Sequence, residues 1–226
     1  MGCTTSEPAF LYGWDDRRIV CSQPVDNLTG PDPRGRIEEL FRLAANRDEV
    51  ATIHAHVPDQ TITTSWIEAM LDIADADDLS FVTYAEMQPG PRRAAVALAF
   101  DDLAIDAWYE LRDRLADHGA HVTFFVTRWG PEWTDKDKAK LRKLHDLGHD
   151  VEPHGANHVS ARDYVRDHGL DAYIADEVMP SIEAMRDAGY PPSIFAFPFG
   201  ETSPEITDAV LTHIDRVRVG PRSCPY

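Results

Sequence analysis

The sequence predicts a single-domain α/β protein in which the strands form either a parallel sheet or an α/β barrel. Two observations predict this class. Short apolar runs without helical spacing alternate with amphipathic segments that carry their apolar residues on one face. In the second half of the chain a glycine follows each amphipathic segment, which is typical of a helix C-terminus. With 226 residues, 43% of them hydrophobic, the chain is long enough to bury one sizeable core.

The first ninety residues begin with a loop-rich stretch and then alternate. Helices are predicted over 35–48 and 65–78, and strands over 49–57 and 80–87. MQPGPRR (87–93) is the one internal stretch with the composition of a linker. We expect it to join two parts of one domain.

From residue 94 onward the alternation is regular. AAVALAF (94–100) is a short apolar run and HVTFFV (121–126) is β-branched and aromatic, so both are expected to be buried strands. Further strands are predicted over 149–154 and 194–200, and helices over 104–119, 135–148 and 173–189. Pro180 is expected to bend the last of these helices.

The net charge of −17 argues against some classes of function. An acidic surface repels phosphate backbones, so nucleic-acid binding is not expected. No run approaches the roughly 18 apolar residues of a membrane span. No basic segment followed by an apolar one marks a signal peptide. The sequence leaves the oligomeric state open.

The three cysteines, Cys3, Cys21 and Cys224, show no CxxC spacing, so neither a zinc ribbon nor a redox pair is expected. Because the number is odd, at least one thiol of the chain is expected to be free. The start MGC leaves two locations open. The protein is extracytoplasmic or lipid-anchored if Cys3 is the cysteine of a processed lipoprotein, and cytoplasmic otherwise.

Polar side chains follow three predicted strands at their C-terminal ends, which is where parallel sheets and α/β barrels place reactive groups. Asp101 and Asp102 come directly after the strand at 94–100. A later strand runs into His154, and an earlier strand runs into His54 and His56. Two adjacent carboxylates at the end of a buried strand are costly unless a positive charge pairs with them.

A divalent metal would supply that charge. Two histidines and one carboxylate leave coordination positions open for water, as a catalytic zinc site requires, and this set is Asp102, His154 and His158. Successive strand residues point to opposite sides, so Asp101 can face the water as a general base. The spacing in HGANH decides nothing alone, because HDLGH (145–149) repeats it. A helix N-cap is the alternative interpretation of the two aspartates.

Three ordered motifs add to this argument. AFDDL (99–103), HGANH (154–158) and FAFPFG (195–200) follow the order of TFDDG, H-[ST]-x-x-H and R-x-P-[YF]-G. In these motifs the sequence resembles the NodB-like polysaccharide deacetylases (carbohydrate esterase family 4), over about residues 94 to 218. The resemblance implies a distorted (β/α) barrel. It also implies a metal-dependent hydrolase that removes N-acetyl groups from a saccharide or polysaccharide through a metal-activated water.

The resemblance implies a role for each matching residue. A divalent metal, expected to be Zn²⁺, would be held by Asp102, His154 and His158. Asp101 would be the base that activates the water. The backbone N–H of Phe199, after Pro198, would help to stabilise the tetrahedral oxyanion of the substrate.

Three departures from the motifs bear on activity. Leu103 replaces the glycine of the first motif, so the turn after the metal ligand must differ. Gly155 replaces the hydroxyl residue of the second motif, which removes one hydrogen-bonding group. The arginine of the third motif, which orients the base, is Phe195 or Ala196 here. Asp101 is therefore expected to lack a partner.

These deacetylases close with a later strand whose histidine acts as general acid, and residues resembling that part stand at the start of this chain. We therefore expect a circularly permuted domain, in which 1–88 correspond to the usual C-terminal part and 89–226 to the usual N-terminal part. His56 then takes the acid position, with His54 as the competing candidate and Asp26 as the partner of the acid. A structural histidine pair at a barrel mouth is the alternative.

Permutation makes geometric predictions as well. Met1 and Tyr226 should be neighbours, because permutation is tolerated where the termini lie close together. The strand at 80–87 should lie beside the strand at 94–100. Cys3 and Cys224 could then approach, and a disulfide between them would restore the lost covalent link if their Cα atoms lie within about 7 Å. The sequence leaves open whether they pair.

Two other functions fit the same motifs. A non-catalytic carbohydrate-binding relative is favoured by the missing third-motif arginine, whereas Asp101 and His56 favour activity. Hydrolysis of another non-peptide C–N bond or of an ester also fits, because the motifs specify a polarised carbonyl and not a sugar. The expected partner is an N-acetylated saccharide, whose identity the sequence does not indicate.

Overall fold

The computed structural model describes residues 7–130 and 133–226, and strands and helices alternate along them. The strands are β1 (Leu11–Tyr12), β2 (Ile19–Cys21), β3 (Gln23–Pro24), β4 (Val50–Ala55), β5 (Ser80–Phe81), β6 (Ala95–Asp102), β7 (Thr123–Val126), β8 (Asp150–Pro153), β9 (Ile194–Ala196) and β10 (Arg216–Val219). The α-helices are α1 (Arg34–Arg47), α2 (Thr64–Ala76), α3 (Ile105–Glu110), α4 (Arg112–Asp117), α5 (Asp135–Asp146), α6 (Ala161–His168), α7 (Leu170–Tyr173), α8 (Met179–Asp187) and α9 (Pro204–Val210). A π-helical turn, Ile174–Val178, joins α7 to α8.

The strands form two sheets. The larger sheet has the order β1-β4-β6-β7-β8, with β3 also on β4 and β5 also on β6, and the smaller has the order β2-β10-β9. Among the described residues only β1 and β4 pair antiparallel. In the central pair Val50 aligns with Ala95, and Ala55 with Phe100. This register brings the C-terminal ends of β4 and β6 side by side.

The two sheets together enclose a distorted barrel. On one side the chain passes directly from β2 in the small sheet to β3 in the large sheet, and the amide of Ser22 donates to the carbonyl of Val219 at 2.9 Å. On the other side, side chains join β8 to β9. There the buried carboxylate of Glu152 accepts hydrogen bonds from the amides of Ser193 and Ile194, at 2.9 and 3.2 Å. The single domain is therefore closed in part through side chains, as expected of a distorted barrel.

Alternation along β6 separates the outer core from the barrel interior. Leu98 and Phe100 belong to the large apolar cluster that packs against the helices. Ala97 and Ala99 belong to a second cluster inside the barrel. Because side chains alternate along a strand, Asp101 continues the interior series. The small alanines below it leave room in the barrel for polar side chains from other strands.

Several helices begin where the sequence offers a capping side chain. Thr63 accepts a hydrogen bond from the amide of Trp66 at the start of α2, and Thr134 and Asp137 form a capping box at the start of α5. The N-cap of α3 is Ala104, without a side-chain cap. The interpretation of the two aspartates as a helix cap is therefore wrong. In the described part of the chain, no helix is long and apolar enough to cross a membrane.

The predicted elements differ from the observed ones at identifiable points. The helix predicted over 104–119 is divided at Leu111 into α3 and α4. The strand predicted over 80–87 is only two residues long, although it pairs with β6 as expected. It ends early because the amide of Tyr84 donates to the hydroxyl of Thr123 instead of continuing the ladder. Pro180 lies in the first turn of α8, and the irregularity in this segment is the π-helical turn Ile174–Val178 just before it. Helices α6 and α9 and strand β10 were not predicted.

A disulfide ties the end of the chain to the barrel. Cys224 is bonded to Cys21 of β2, 203 residues earlier. The Cys3–Cys224 pairing that the sequence left open is therefore excluded, and Cys3 itself lies outside the described residues. The ring of Tyr226 packs 5.1 Å from the guanidinium carbon of Arg17. The end of the chain thus lies near its early strands, while Met1 is also outside the described residues.

Breaking this disulfide is expected to lower the free energy of unfolding by about 2–5 kcal/mol, because the bond closes a very long loop of the unfolded chain. The double variant Cys21→Ser/Cys224→Ser should show the loss in urea titration. Reductant should lower the stability of the wild type by a similar amount and leave the double variant unchanged. Equal stability of the oxidised wild type and the double variant would contradict this expectation.

Candidate active site

Asp102, His154 and His158 come together at the C-terminal mouth of the barrel. The nearest oxygen of Asp102 lies 3.0 Å from Nε2 of His158 and 3.8 Å from Nε2 of His154. One ligand atom from each residue lies within 4.8 Å of the others. Asp102 ends β6 with a φ of 87°, and His158 has a φ of 61°. Non-glycine residues rarely adopt these left-handed conformations, and functional sites are enriched in them.

The donor set fits a divalent metal. Oδ1 of Asp102 is buried without a hydrogen-bond partner among the described residues, although His158 is close. His154 Nδ1 lies 2.9 Å from the carbonyl of Ala196, so it donates there and leaves Nε2 as the metal-ligating nitrogen. Two imidazoles and a carboxylate are typical ligands of Zn²⁺.

The protonation states agree with this fit. Burial lowers the pKa of His154 from 6.5 to about 4, so its imidazole is neutral. Burial alone would raise the pKa of Asp102, but His158, His154 and His56 together lower it from 3.8 to about 2. A neutral histidine and an ionised carboxylate are the forms that bind a metal.

Asp101 does have a partner, contrary to the expectation from the third motif. Nη2 of Arg218, on β10, lies 2.6 Å from Oδ2 of Asp101, and both side chains are almost completely buried. The arginine stands on the strand next to β9, where Arg218 aligns with Ala196. The guanidinium therefore comes from the neighbouring strand β10, from the residue that pairs with the third-motif position Ala196.

Sequence reasoning missed Arg218, although the segment RVRV carried a signal. Alternating charged and apolar residues indicate a strand, and here all four residues are buried, with Arg216 and Arg218 on the face toward the barrel interior. Arg216 donates to the carbonyls of Met87 and Tyr84. Arg218 is left to pair with Asp101.

His56 reaches the same mouth just after β4 and is paired with Asp26. Its Nδ1 lies 2.6 Å from Oδ2 of Asp26, and its backbone amide donates to Oδ1 of Asp26. Thr61 donates to the same Oδ1. Burial alone would lower the pKa of His56, but the bond to Asp26 and the charges of Asp101, Asp26 and Asp102 raise it to about 9. His56 is therefore a cation at neutral pH.

His54 lies beside His56 in a different environment. It is buried, and its Nδ1 is 2.9 Å from the hydroxyl of Ser22. Burial and then the charge of Arg218 lower the pKa of His54 well below 6.5. A neutral histidine is a poor proton donor to a leaving group. The two candidates for the general acid therefore differ in protonation state, and His56 is the protonated one. His54, His56 and Asp101 form a second group whose ligand atoms lie within 4.8 Å of one another.

A cleft of about 670 Å³ opens over these groups and is lined by His54, His56, Asp101 and Phe199, among others. The ring of Phe199 is 63% exposed and packs 4.8 Å from the ring of His158. Pro198, the residue before it, is buried. A second space of similar volume is lined by Asp102 and Leu103, among others.

The glycine after Phe199 allows a close crossing of two segments at the rim of this cleft. A Cβ on Gly200 would lie 2.7 Å from the backbone of Gly220, and Gly200 has a φ of 64°. The segment that carries Phe199 is thus held directly against the segment that follows β10. A larger residue at 200 would clash with the backbone of Gly220, so one of the two segments would have to shift.

Comparison with known proteins gives a consistent result. Residues 88–213, more than half of the chain, match the family model described as polysaccharide deacetylase. Among solved structures, IcaB from Ammonifex degensii is 17% identical, with a TM-score of 0.59 over 77% of this chain and 86% of that chain. A de-N-acetylase from Aggregatibacter actinomycetemcomitans is 13% identical, with a TM-score of 0.59 over 96% of each chain.

A polysaccharide deacetylase from Bacillus cereus is 15% identical, with a TM-score of 0.58 over 75% of this chain. The match covers 57% of that chain, so this protein spans little more than half of its length. At such low identities these likenesses show a shared fold. None of the curated proteins matches the sequence.

Proposed function

The chain belongs to the polysaccharide deacetylase family, and from this we propose that it removes N-acetyl groups from a saccharide with a divalent metal held by Asp102, His154 and His158. The observation that carries the proposal is the convergence of a buried oxygen of Asp102 on the Nε2 atoms of two histidines, at 3.0 Å from His158 and 3.8 Å from His154. Zn²⁺ is the metal we expect, because two imidazoles and a carboxylate suit it. When bound, the ion would polarise the acetamide carbonyl and lower the pKa of a water molecule.

Asp101 is positioned to act as the general base. Its carboxylate is buried at the mouth of the barrel, and Arg218 fixes one of its oxygens by a charge-assisted hydrogen bond. The other oxygen, Oδ1, is buried without a partner among the described residues and is available to accept a proton from water. The oxygen of that water attacks the carbonyl carbon of the acetyl group, and the backbone N–H of Phe199 stabilises the oxyanion.

His56 is positioned to act as the general acid. Its Nδ1 is occupied by Asp26, so Nε2 carries the proton that the leaving nitrogen needs when the C–N bond breaks. The products are acetate and the free amine of the sugar. The Asp26–His56 pair comes from the segments that follow β3 and β4, and the Arg218–Asp101 pair from β10 and β6. The two pairs thus divide the work between an acid and a base.

Acetate release from a panel of N-acetylated glycans tests this function. We expect release that stops after treatment with a chelator and returns when Zn²⁺ is added. Absence of release from every glycan, with metal bound, would favour a non-catalytic relative. The missing third-motif arginine no longer favours that alternative strongly, because Arg218 supplies a guanidinium to Asp101. Release from O-acetyl esters alone would indicate a different substrate bond.

Replacing Asp26 by Asn is expected to move the alkaline limb of the kcat–pH profile to lower pH. Activity requires protonated His56, so kcat falls as the pH rises through the pKa of His56. Asp26 raises that pKa, and removing its charge lowers it by roughly one unit or more. The exposed Asp208→Asn in α9 is the matched control and should leave the profile unchanged. An unmoved alkaline limb in Asp26→Asn would mean that another group is the acid.

We also propose that the chain order is a circular permutation of the family's usual order, with residues 1–88 and 89–226 forming one domain. Strand β4 leads to the acid and lies beside β6, which leads to the base. The disulfide joins Cys224, near the end of the chain, to Cys21 in β2 of the N-terminal part. A variant with its ends linked and new termini opened within 88–93 should fold and release acetate. A variant that cannot fold would contradict the permutation.

The disulfide further supports an extracytoplasmic location, because such bonds persist mainly in oxidising compartments. Protein purified without reductant should show at most one reactive thiol per chain after denaturation, that of Cys3, and none if Cys3 is lipidated. Fractionation of the source cells would then locate the protein. Recovery in the cytoplasmic fraction with three free thiols would contradict the proposal.

A further inference from the structure

The loop between the two histidine ligands lacks regular structure of its own. Residues 155–157 connect His154, which directly follows β8, to His158, which precedes α6. The loop turns through a φ of 79° at Gly155 and a φ of 61° at His158. Neither a strand nor a helix therefore sets the distance between the two imidazoles, and contacts from elsewhere must do so.

Glu177 supplies those contacts from the π-helical turn. Its Oε2 accepts a hydrogen bond from the amide of Asn157 at 2.9 Å, and its Oε1 accepts one from the side-chain amide of Asn157 at 2.5 Å. Its own carbonyl accepts the amide of Ala156 at 3.1 Å. The residue is 1% exposed. A single buried glutamate thus holds two consecutive residues of the loop, next to His158.

The space that Glu177 fills is left by the glycine of the second motif. A Cβ built on Gly155 would lie 3.4 Å from Oε2 of Glu177 and 3.2 Å from Cγ of Pro198. The carboxylate therefore stands within reach of the hydroxyl side chain that the motif usually carries and this chain lacks. π-helical turns often occur at functional sites, because the extra residue re-aims the side chains that follow.

We propose that Glu177 is a positioning residue that fixes His158 toward Asp102 and so sets the affinity of the metal site. The inference rests on the metal site of the proposed function. A purely structural role would also explain a buried, hydrogen-bonded carboxylate. The two roles differ in one observable: positioning lowers metal affinity beyond any change in the stability of the metal-free protein, whereas a structural role lowers stability alone.

The affinity for Zn²⁺ distinguishes them, measured on chelator-stripped protein by competition with a chromophoric chelator, together with the Tm of the metal-free form. Glu177→Ala should weaken Zn²⁺ binding by about 10–100-fold, the usual effect of losing a group that orients a ligand. Glu177→Gln keeps the volume but offers one acceptor to two donors, so an intermediate loss is expected. Glu183→Ala, an exposed position in α8, is the matched control with unchanged affinity.

Asn157→Ala provides an independent route to the same answer. It removes one of the two bonds to Glu177, so the double variant with Glu177→Ala should lose less affinity than the sum of the single losses. Should Glu177→Ala fail to fold, Glu177→Gln and Asn157→Ala carry the comparison. Wild-type Zn²⁺ affinity in folded Glu177 variants would overturn the positioning role alone. A wild type that binds no Zn²⁺ would overturn the proposed function and this inference with it.

Discussion

Asp101→Asn should lower kcat by about 10²–10⁴-fold while leaving metal binding intact, because the change removes a general base and keeps the ligands. Asparagine has nearly the same shape as aspartate and can still accept a hydrogen bond from Arg218. It cannot accept a proton from water. Acetate release and Zn²⁺ stoichiometry measured on the same preparation check both halves of this expectation.

Arg218→Gln gives a related but smaller effect, because it leaves the base present and removes the group that orients it. The substitution leaves the carboxylate of Asp101 buried without its cation, which also costs stability. Normal turnover by Asp101→Asn would transfer the role of base to another group. His54, which is neutral and lines the same cleft, would be the first candidate.

Asp102→Ala should abolish both metal binding and activity. It removes the carboxylate of the proposed ligand set and leaves two histidines, which hold a metal more weakly. Loss of Lewis-acid chemistry worth several kcal/mol is expected to reduce acetate release by at least about a thousandfold. Metal analysis after gel filtration gives the stoichiometry, and circular dichroism shows whether the variant is folded.

Comparing metal retention in the variants of these two adjacent aspartates distinguishes the ligand from the base. Asp101→Asn should retain one metal ion per chain and Asp102→Ala should retain none, although the residues are adjacent. If both variants kept the metal, the ion would be bound elsewhere. If both lost it, Asp101 would be a ligand and not a free base.

The sequence predicted the elements that carry strong local signals. The apolar run of β6 and the aromatic run of β7 are buried strands, and they lie next to each other as parallel α/β architecture requires. Asp102 at the end of β6 and the histidines that follow β8 also lie together, because parallel strands end at the same edge. This reasoning required only the order of the elements along the chain.

The sequence could not predict contacts between distant segments. The partner of Asp101 was sought within its motif, but Arg218 occupies the neighbouring strand, and only the pairing of β9 with β10 reveals that equivalence. The sequence did not predict Cys21 as the partner of Cys224, because the path of residues 19–24 between the two sheets is not visible in the pattern. Glu177 gave no signal, since a glutamate in an amphipathic helix ordinarily faces solvent.

The most direct test is anomalous diffraction at the zinc edge from crystals of the wild-type protein grown with Zn²⁺. We expect one strong peak bound by Asp102, His154 and His158, at about 2.0–2.2 Å from each ligand atom. Asp101 should stay paired with Arg218 and outside the coordination shell. A peak at the other group, His54, His56 and Asp101, or side chains of His154 and His158 that diverge around no metal, would contradict it.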